Sequence, residues 1–172
     1  MQNHFELFGL EPGYALESER LERAYREIQA KIHPDRYAQA GDAERRASMQ
    51  WTTRVNEAYR TLKDPVERAR YLLELNGVDV AFETNTAMPA EFLGRQLELR
   101  EDLALAQGEK DAGALGRLRT ALRRDKDELM GALAQTLDTR RDYAAAAGLV
   151  RKLKFLERFD AEIDAALETM DE

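Results

Sequence analysis

The stretch that decides the fold is residues 18–37, which read SERLERAYREIQAKIHPDRY. Its apolar side chains recur three and four residues apart, at Leu21, Ala24, Tyr25, Ile28 and Ile32. At about 3.6 residues per turn this spacing produces one apolar stripe, so it predicts an amphipathic helix that begins at Glu17 or Ser18. Pro34 ends the helix, because a proline disfavours helical geometry in the residue before it.

A second stripe of the same period follows the polar residues 37–42. Its members are Trp51, Val55, Ala58, Tyr59 and Leu62. We expect a second helix that ends near Lys63 and packs against the first as an antiparallel hairpin. Short helices flank this hairpin: an apolar segment at 5–10 stops at a Pro-Gly turn, and Asp64 before Pro65 is typical of a helix start that runs to Asn76-Gly77.

The second half of the chain predicts a separate helical domain. Residues 78–88 lack helical periodicity, whereas three helices are predicted at 89–107, 111–137 and 141–169. A three-helix bundle is the simplest way to bury their stripes. We therefore predict an all-α protein with a first domain at 1–75, a linker at 76–88 and a three-helix bundle at 89–172.

Composition narrows the possible functions. The 172 residues carry a net charge of −7, include no cysteine and lack an apolar run long enough for a membrane helix or a leader. Disulfides, thiolate metal sites and cysteine nucleophiles are thereby excluded. An acidic chain also disfavours nucleic acid as a partner. We expect a cytoplasmic protein with no membrane partner, no catalytic residue, no metal and no cofactor.

The tripeptide His33-Pro34-Asp35 lies where the first predicted helix ends and a loop opens. Pro34 stiffens the loop, the imidazole of His33 can donate or accept a hydrogen bond, and the carboxylate of Asp35 can bind an arginine on a partner. Read in isolation, the tripeptide is most simply a helix stop with two solvated side chains. Its context, between two matched apolar stripes, makes a further role worth considering.

The N-terminal region resembles the J domain. The similarity rests on the tripeptide, on the opening FELFGL at 5–10 and on NEAYRTLKDP at 56–65. It implies that His33, Pro34 and Asp35 dock on an HSP70-type chaperone and favour ATP hydrolysis by it. It also implies that the basic face of the preceding helix assists, and the candidates are Arg20, Arg23, Arg26 and Lys31. Glu19, Glu22 and Glu27 share that surface, so a solvated face of mixed charge is the alternative.

A second apolar strip is predicted on the helix that begins near residue 89. Phe92, Leu99 and Leu103 form its core face, whereas Leu93 and Leu97 lie about 100–140° away, beside Glu98 and Glu101. On the last helix Phe155 is rotated about 120° from the core stripe of Leu149, Leu153, Leu156, Ile163 and Leu167. Isolated exposed apolar residues are common, but a strip edged by carboxylates suggests a docking surface.

Three further segments resemble the HscB family of co-chaperones. They are FLGRQLELREDL at 92–103, VRKLKFL at 150–156 and RARYLLELNG at 68–77, so the similarity covers nearly the whole chain. It implies that the protein stimulates the chaperone HscA and brings it the iron–sulfur scaffold IscU. By position, the scaffold-binding residues would be Leu93, Leu97, Glu98, Glu101 and Phe155. The chain departs from the family pattern at Gly94 and Leu105, where a larger apolar and an acidic residue are common.

Other functions are weaker on the residues alone. A J-domain co-chaperone with another client is the nearest alternative. An enzyme is disfavoured, because His4 and His33 are far apart in sequence and no glycine-rich phosphate loop precedes a helix. A nucleic-acid module would need a basic stripe, for which the candidates are Arg117, Arg119, Arg123 and Arg124.

Overall fold

The computed structural model describes residues 2–80 and 88–170, which form helices joined by short connections and contain no strand. The helices are α1 (His4–Leu7), α2 (Ser18–Ile32), a 3₁₀ helix (Pro34–Tyr37), α3 (Asp42–Lys63), α4 (Pro65–Leu75), α5 (Ala90–Gly108), α6 (Ala112–Ala134), a π-helical turn (Gln135–Arg140) and α7 (Tyr143–Glu168). The predicted all-α class is confirmed. The chain divides into two compact units, residues 1–75 and 76–172.

In the first unit, α2 and α3 pair as the predicted hairpin. The Tyr25 and Tyr59 rings stack with their centroids 4.0 Å apart, and the Tyr25 hydroxyl donates to Asn56 Oδ1 at 2.7 Å. Leu21, Val55, Ala58 and Leu62 are buried. The repeat of three and four residues therefore placed these apolar side chains on the faces that meet.

The short helices α1 and α4 close the core of this unit. Phe5 of α1 and Leu73 of α4 are fully buried. The predicted cap at Asp64 is confirmed, since its Oδ1 accepts from the backbone N–H groups of Val66 and Glu67 at 2.8 and 3.1 Å. The ring of His4 stacks on Tyr71, and its burial lowers the pKa of the imidazole below the usual value.

The core assignment of Trp51 is wrong. Its side chain is 43% exposed, and the Arg54 guanidinium lies over the ring at 5.2 Å from its centroid. A helical stripe is buried only where a neighbouring element covers it. The N-terminal segment reaches α3 at Arg54, which donates to the Gln2 carbonyl oxygen at 2.7 Å, almost one turn after Trp51. The indole therefore stays at the surface although its helical position matches that of Val55.

In the second unit, α5, α6 and α7 pack around the core that their stripes predicted. The buried side chains are Leu99, Leu103, Ala106, Leu115, Leu118, Leu122, Leu156, Phe159, Ile163 and Ala166. Phe159, which is fully buried, was missing from the predicted stripe of α7. Asp111 and Asp142 cap α6 and α7 by accepting from the N–H groups of Ala114 and Ala145.

The second predicted helix of the bundle ends differently from the prediction of 111–137. Regular α-helix stops at Ala134, and residues 135–140 form a π-helical turn. Arg141 then takes a left-handed conformation with φ of 51°, which breaks the helix before Asp142 caps the next one. Thr136 and Leu137 are buried in this turn, and the Thr136 hydroxyl donates to the Ala132 carbonyl oxygen at 2.6 Å.

Residues 81–87 of the predicted linker at 76–88 lie outside the described residues. Gly77 follows α4 with φ of +75°, a conformation that favours glycine. Three residues later Val80 is 3% exposed, and its carbonyl oxygen accepts from Arg151 Nη1 at 3.2 Å. This contact ties the segment after α4 to α7 within the second unit.

Candidate functional site

The loop after α2 is held by residues on either side of the tripeptide. The last carbonyl oxygens of a helix lack partners within it. Here Ala30 accepts from Arg36 Nη1 at 2.9 Å, and Lys31 accepts from the Tyr37 hydroxyl at 3.3 Å. The carbonyl oxygen of Ile32 accepts from the hydroxyl of Ser48 on α3 at 2.6 Å. The end of α2 is thus fixed by side chains other than those of His33 and Asp35.

The tripeptide itself faces solvent. The side chains of His33 and Asp35 are 49% and 91% exposed, and Pro34 is partly buried at the start of the 3₁₀ helix. The Asp35 backbone N–H donates to Nδ1 of His33 at 3.3 Å. In a neutral imidazole the accepting nitrogen carries no proton, so Nε2 is left as the donor. The loop therefore presents one N–H donor and one carboxylate side by side.

The four basic residues predicted for chaperone binding are all exposed on α2. Arg20, Arg23 and Lys31 fall within an arc of about 80°, and Arg26 lies about 60° beyond it. Arg26 is paired with Glu22 at 2.8 Å, and Arg20 donates to the Gly9 carbonyl oxygen at 3.4 Å. Within residues 2–80 and 88–170, the side chains of Arg23 and Lys31 form no hydrogen bond or ion pair. These two cations are the most available to a partner.

The predicted exposure of the strip on α5 is confirmed. Leu93 and Leu97 are 44% and 60% exposed, while Leu99 on the same helix is 1% exposed. Phe155 of α7 is partly buried, and its ring meets Phe92 edge to face with centroids 6.1 Å apart. Phe155 thereby lies against the turn of α5 that carries Leu93. The structure thus brings the three apolar members of the predicted scaffold-binding set to one part of the bundle.

Carboxylates edge this strip. Glu98 is paired with Arg95 at 3.4 Å, whereas Glu101 is exposed and has no ion pair within the described ranges. On the opposite side, Arg100 is held by Glu162 at 3.1 Å. Glu101 is therefore the carboxylate at this edge without an internal partner, and the Lys152 ammonium lies over the Phe92 ring at 5.7 Å from its centroid. Such an edge favours a partner whose apolar contact is bordered by basic residues.

Other kinds of site find little support in residues 2–80 and 88–170. No group of three or more His, Asp or Glu side chains there could hold a metal ion. In the same ranges no helix combines the length and the apolar character needed to cross a membrane. Within the basic stripe considered for nucleic acid, Arg117 pairs with Asp111 and Arg119 with Asp164. Two of the four arginines of that stripe are therefore neutralised by ion pairs within the chain.

The bracing residues of the loop were missed by the sequence analysis. Ser48, Arg36 and Tyr37 act through hydrogen bonds to backbone atoms of α2, and the spacing of residues within one helix carries no information on such contacts. Of these three residues, Ser48 alone gives a hint of such a contact, because it is a small polar residue on the buried face of α3. Buried hydroxyl groups nearly always have a hydrogen-bond partner.

Two family models match the chain. Residues 3–71 match the DnaJ domain, and residues 88–164 match the model described as the HSCB C-terminal oligomerisation domain. The first match contains the braced loop and the second contains the exposed strip.

Curated and solved relatives match nearly the full length. The co-chaperone protein HscB homolog of Burkholderia mallei (strain SAVP1) is 48% identical over 98% of this chain and 96% of its own. The structure of chaperone HscB from Vibrio cholerae is 33% identical with a TM-score of 0.87, covering 98% of this chain and 99% of the other. The crystal structure of human co-chaperone protein HscB shares the fold, with a TM-score of 0.91 at 24% identity over 96% of this chain and 82% of its own.

Proposed function

This chain belongs to the HscB family of J-domain co-chaperones, and from that premise we propose that it stimulates the ATPase of a specialised HSP70-type chaperone, HscA, and delivers the iron–sulfur scaffold IscU to it. The work takes place in the cytoplasm, during assembly and transfer of iron–sulfur clusters. In this proposal the chain binds two proteins and performs no chemistry itself.

The observation that carries the proposal is the exposed tripeptide on a loop braced by other residues. Because Arg36, Tyr37 and Ser48 hold the end of α2, its geometry does not depend on the side chains of His33 and Asp35. These two side chains lie 3.5 Å apart (Nδ1 to Oδ2) and are exposed to a partner. A docking loop that is already ordered loses little conformational freedom on binding, which favours affinity. His33, Pro34 and Asp35 would therefore contact the chaperone directly.

The scaffold would bind the second unit, which corresponds to the domain predicted at 89–172. Leu93, Leu97 and Phe155 supply the apolar contact, and Glu98 and Glu101 supply charge at its edge. Two exposed leucines near an aromatic ring can serve as anchors, because a few residues at the centre of an interface carry most of its binding energy. The carboxylates would mainly steer association.

A reconstituted ATPase assay tests both halves of the proposal. We expect purified HscA to hydrolyse ATP faster when this chain is added, and faster again when IscU is present as well. A general HSP70 chaperone, whose ATPase should not respond to the scaffold, serves as the comparison. An equal response of the two chaperones, with no further effect of IscU, would point to a J-domain co-chaperone with another client.

The basic face of α2 gives a separate prediction. Changing Arg20, Arg23 and Lys31 together to Gln should weaken chaperone docking about tenfold at low salt, because exposed ion pairs contribute about 0.2–1 kcal/mol each. The difference from the unmodified chain should shrink as salt rises, since the Debye length falls from about 10 Å at 0.1 M to 3 Å at 1 M. Surface plasmon resonance over a salt series measures both effects.

The matched control removes the same charge from the other unit. Arg123, Arg124 and Lys110 are exposed cations of the bundle, and their change to Gln should leave chaperone docking unaltered. Equal losses in the two triple variants would mean that net charge, and not the α2 face, governs the interaction.

A further inference from the structure

The side of α6 that faces away from the bundle core carries four exposed charged side chains. They are Arg123, Arg124, Asp127 and Glu128. Within residues 2–80 and 88–170, these four side chains form no hydrogen bond or ion pair. Leu122, by contrast, is fully buried on the opposite side of the same helix. The charges of this outer face of α6 are therefore available to a partner.

The order of these charges disfavours pairing within the helix. Each arginine precedes an acid by four positions, since Asp127 follows Arg123 and Glu128 follows Arg124 at that spacing. Ion pairs four residues apart are more stable with the acid first, because that order also suits the helix dipole. A second helix that runs in the opposite direction can instead offer each arginine an acid from another chain.

The charge pattern is complementary to itself. At about 100° per residue the four charges span about 140° of the helix surface, with the arginines nearer the N-terminus and the acids nearer the C-terminus. When two copies of α6 lie antiparallel about a twofold axis between residues 125 and 126, Arg123 lies across from Asp127 of the second copy. Arg124 lies across from Glu128 of the second copy in the same way. The axis repeats both contacts, so both chains contribute equally to the ion pairs.

Small residues flank the charges on the same face. Thr120 and Gly131 lie within about 10° of its middle, and each lies across from the other in the antiparallel arrangement. A Cβ atom added at Gly131 would have no atom within 4 Å, so packing inside the chain does not require glycine there. Glycine inside a helix destabilises it relative to alanine, but it also lets another backbone come close. Close approach of a second helix would give Gly131 a use.

We propose that two copies of this chain associate through the outer face of α6, as an antiparallel pair held by reciprocal ion pairs between arginines and acids. The family model matched by residues 88–164 is described as an oligomerisation domain, and that description assigns no face, register or chemistry to a contact. One helix from each copy makes a smaller contact than the about 1,200–2,000 Å² of stable complexes, so the dimer is weak. The inference does not depend on which chaperone or client the protein binds.

Sedimentation velocity of the full chain tests whether the dimer exists. We expect a shift from monomer to dimer between micromolar and millimolar chain, and the dimer should weaken as salt is raised. A chain that remains monomeric up to millimolar concentration would overturn the proposal. A dimer without salt dependence would also overturn it, because exposed ion pairs are screened by salt.

Two charge-reversed variants test the face. Arg123→Glu with Arg124→Glu makes all four positions acidic, whereas Asp127→Lys with Glu128→Lys makes all four basic. Each variant alone should associate at least tenfold more weakly than the unmodified chain, because like charges then lie across from each other. An equimolar mixture of the two should recover the association, since opposite charges meet again. Undiminished association of either variant, or loss in both without recovery in the mixture, would rule out this face.

The matched control is Arg46→Glu with Arg60→Glu. It makes the same change of net charge as the acidic variant, at exposed positions of α3 in the other unit. We expect it to leave the association unchanged. An equal loss in this control would mean that net charge, and not the outer face of α6, governs self-association.

Gly131→Leu should change stability and association in opposite directions. Leucine favours a helix more than glycine does, and a Cβ has open space at this position, so the melting temperature should rise or stay unchanged. The added side chain should keep the two helices apart and weaken dimerisation at least fivefold by sedimentation. Unchanged association would contradict the close contact at Gly131 and with it the proposed register.

Discussion

His33→Gln should abolish stimulation of the chaperone's ATPase, to below about a tenth of the unmodified rate enhancement, without loss of helix content or melting temperature. The fold is insensitive because the carbonyl oxygens at the end of α2 accept from Arg36, Tyr37 and Ser48 and not from His33. Docking is sensitive because truncating or misplacing a central interface side chain typically costs 2 kcal/mol or more. Single-turnover ATP hydrolysis with purified chaperone measures the effect.

The matched control is His4→Gln, the change of the only other histidine. His4 stacks on Tyr71, and its backbone N–H donates to the Tyr71 hydroxyl at 2.9 Å. We expect His4→Gln to lower the melting temperature of the first unit and to leave stimulation per folded molecule unchanged. Normal stimulation by His33→Gln would mean that the tripeptide is only a helix stop.

Leu93→Ala and Leu97→Ala should each leave stability nearly unchanged and lower the affinity for the scaffold by more than about 1 kcal/mol at the better-placed position. Their exposure of 44% and 60% leaves little cavity when the side chains are shortened. Leu99→Ala is the control on the same helix, since Leu99 is 1% exposed and its truncation should cost about 2–5 kcal/mol of unfolding free energy. Thermal unfolding and calorimetric titration with IscU give the two quantities.

Phe155→Ala should show a mixed result. The ring is partly buried against Phe92, so its removal should reduce both stability and scaffold affinity.

Glu98→Ala and Glu101→Ala should act mainly on the association rate and its salt dependence. Early melting of the two leucine variants, with binding in proportion to the folded fraction, would contradict the assignment of an exposed docking strip.

Helical periodicity was sufficient for most of the architecture. Leu99 and Leu97 are two residues apart and therefore about 160° apart around α5, so one is buried and the other is exposed. The same rotation of about 100° per residue predicted the apolar stripes of α2, α6 and α7. Caps such as Asp64 were predictable because the bonded groups lie within three residues of each other.

Features that depend on contacts between helices could not be predicted. Trp51 matched the core stripe, but its burial depended on how far the N-terminal segment reaches along α3. Ser48 braces Ile32 across 16 positions of sequence. In each case the contacting residue belongs to another element, and the apolar periodicity of a single helix cannot predict that contact.

The position of Trp51 on α3 makes the two units optically distinguishable. It is the only tryptophan of the chain and lies on α3, so intrinsic fluorescence excited at the red edge of the absorption band reports on the first unit alone. Circular dichroism, by contrast, sums the helices of both units. Following the two signals through one denaturant titration shows whether the units unfold together or in sequence, without any label or truncation.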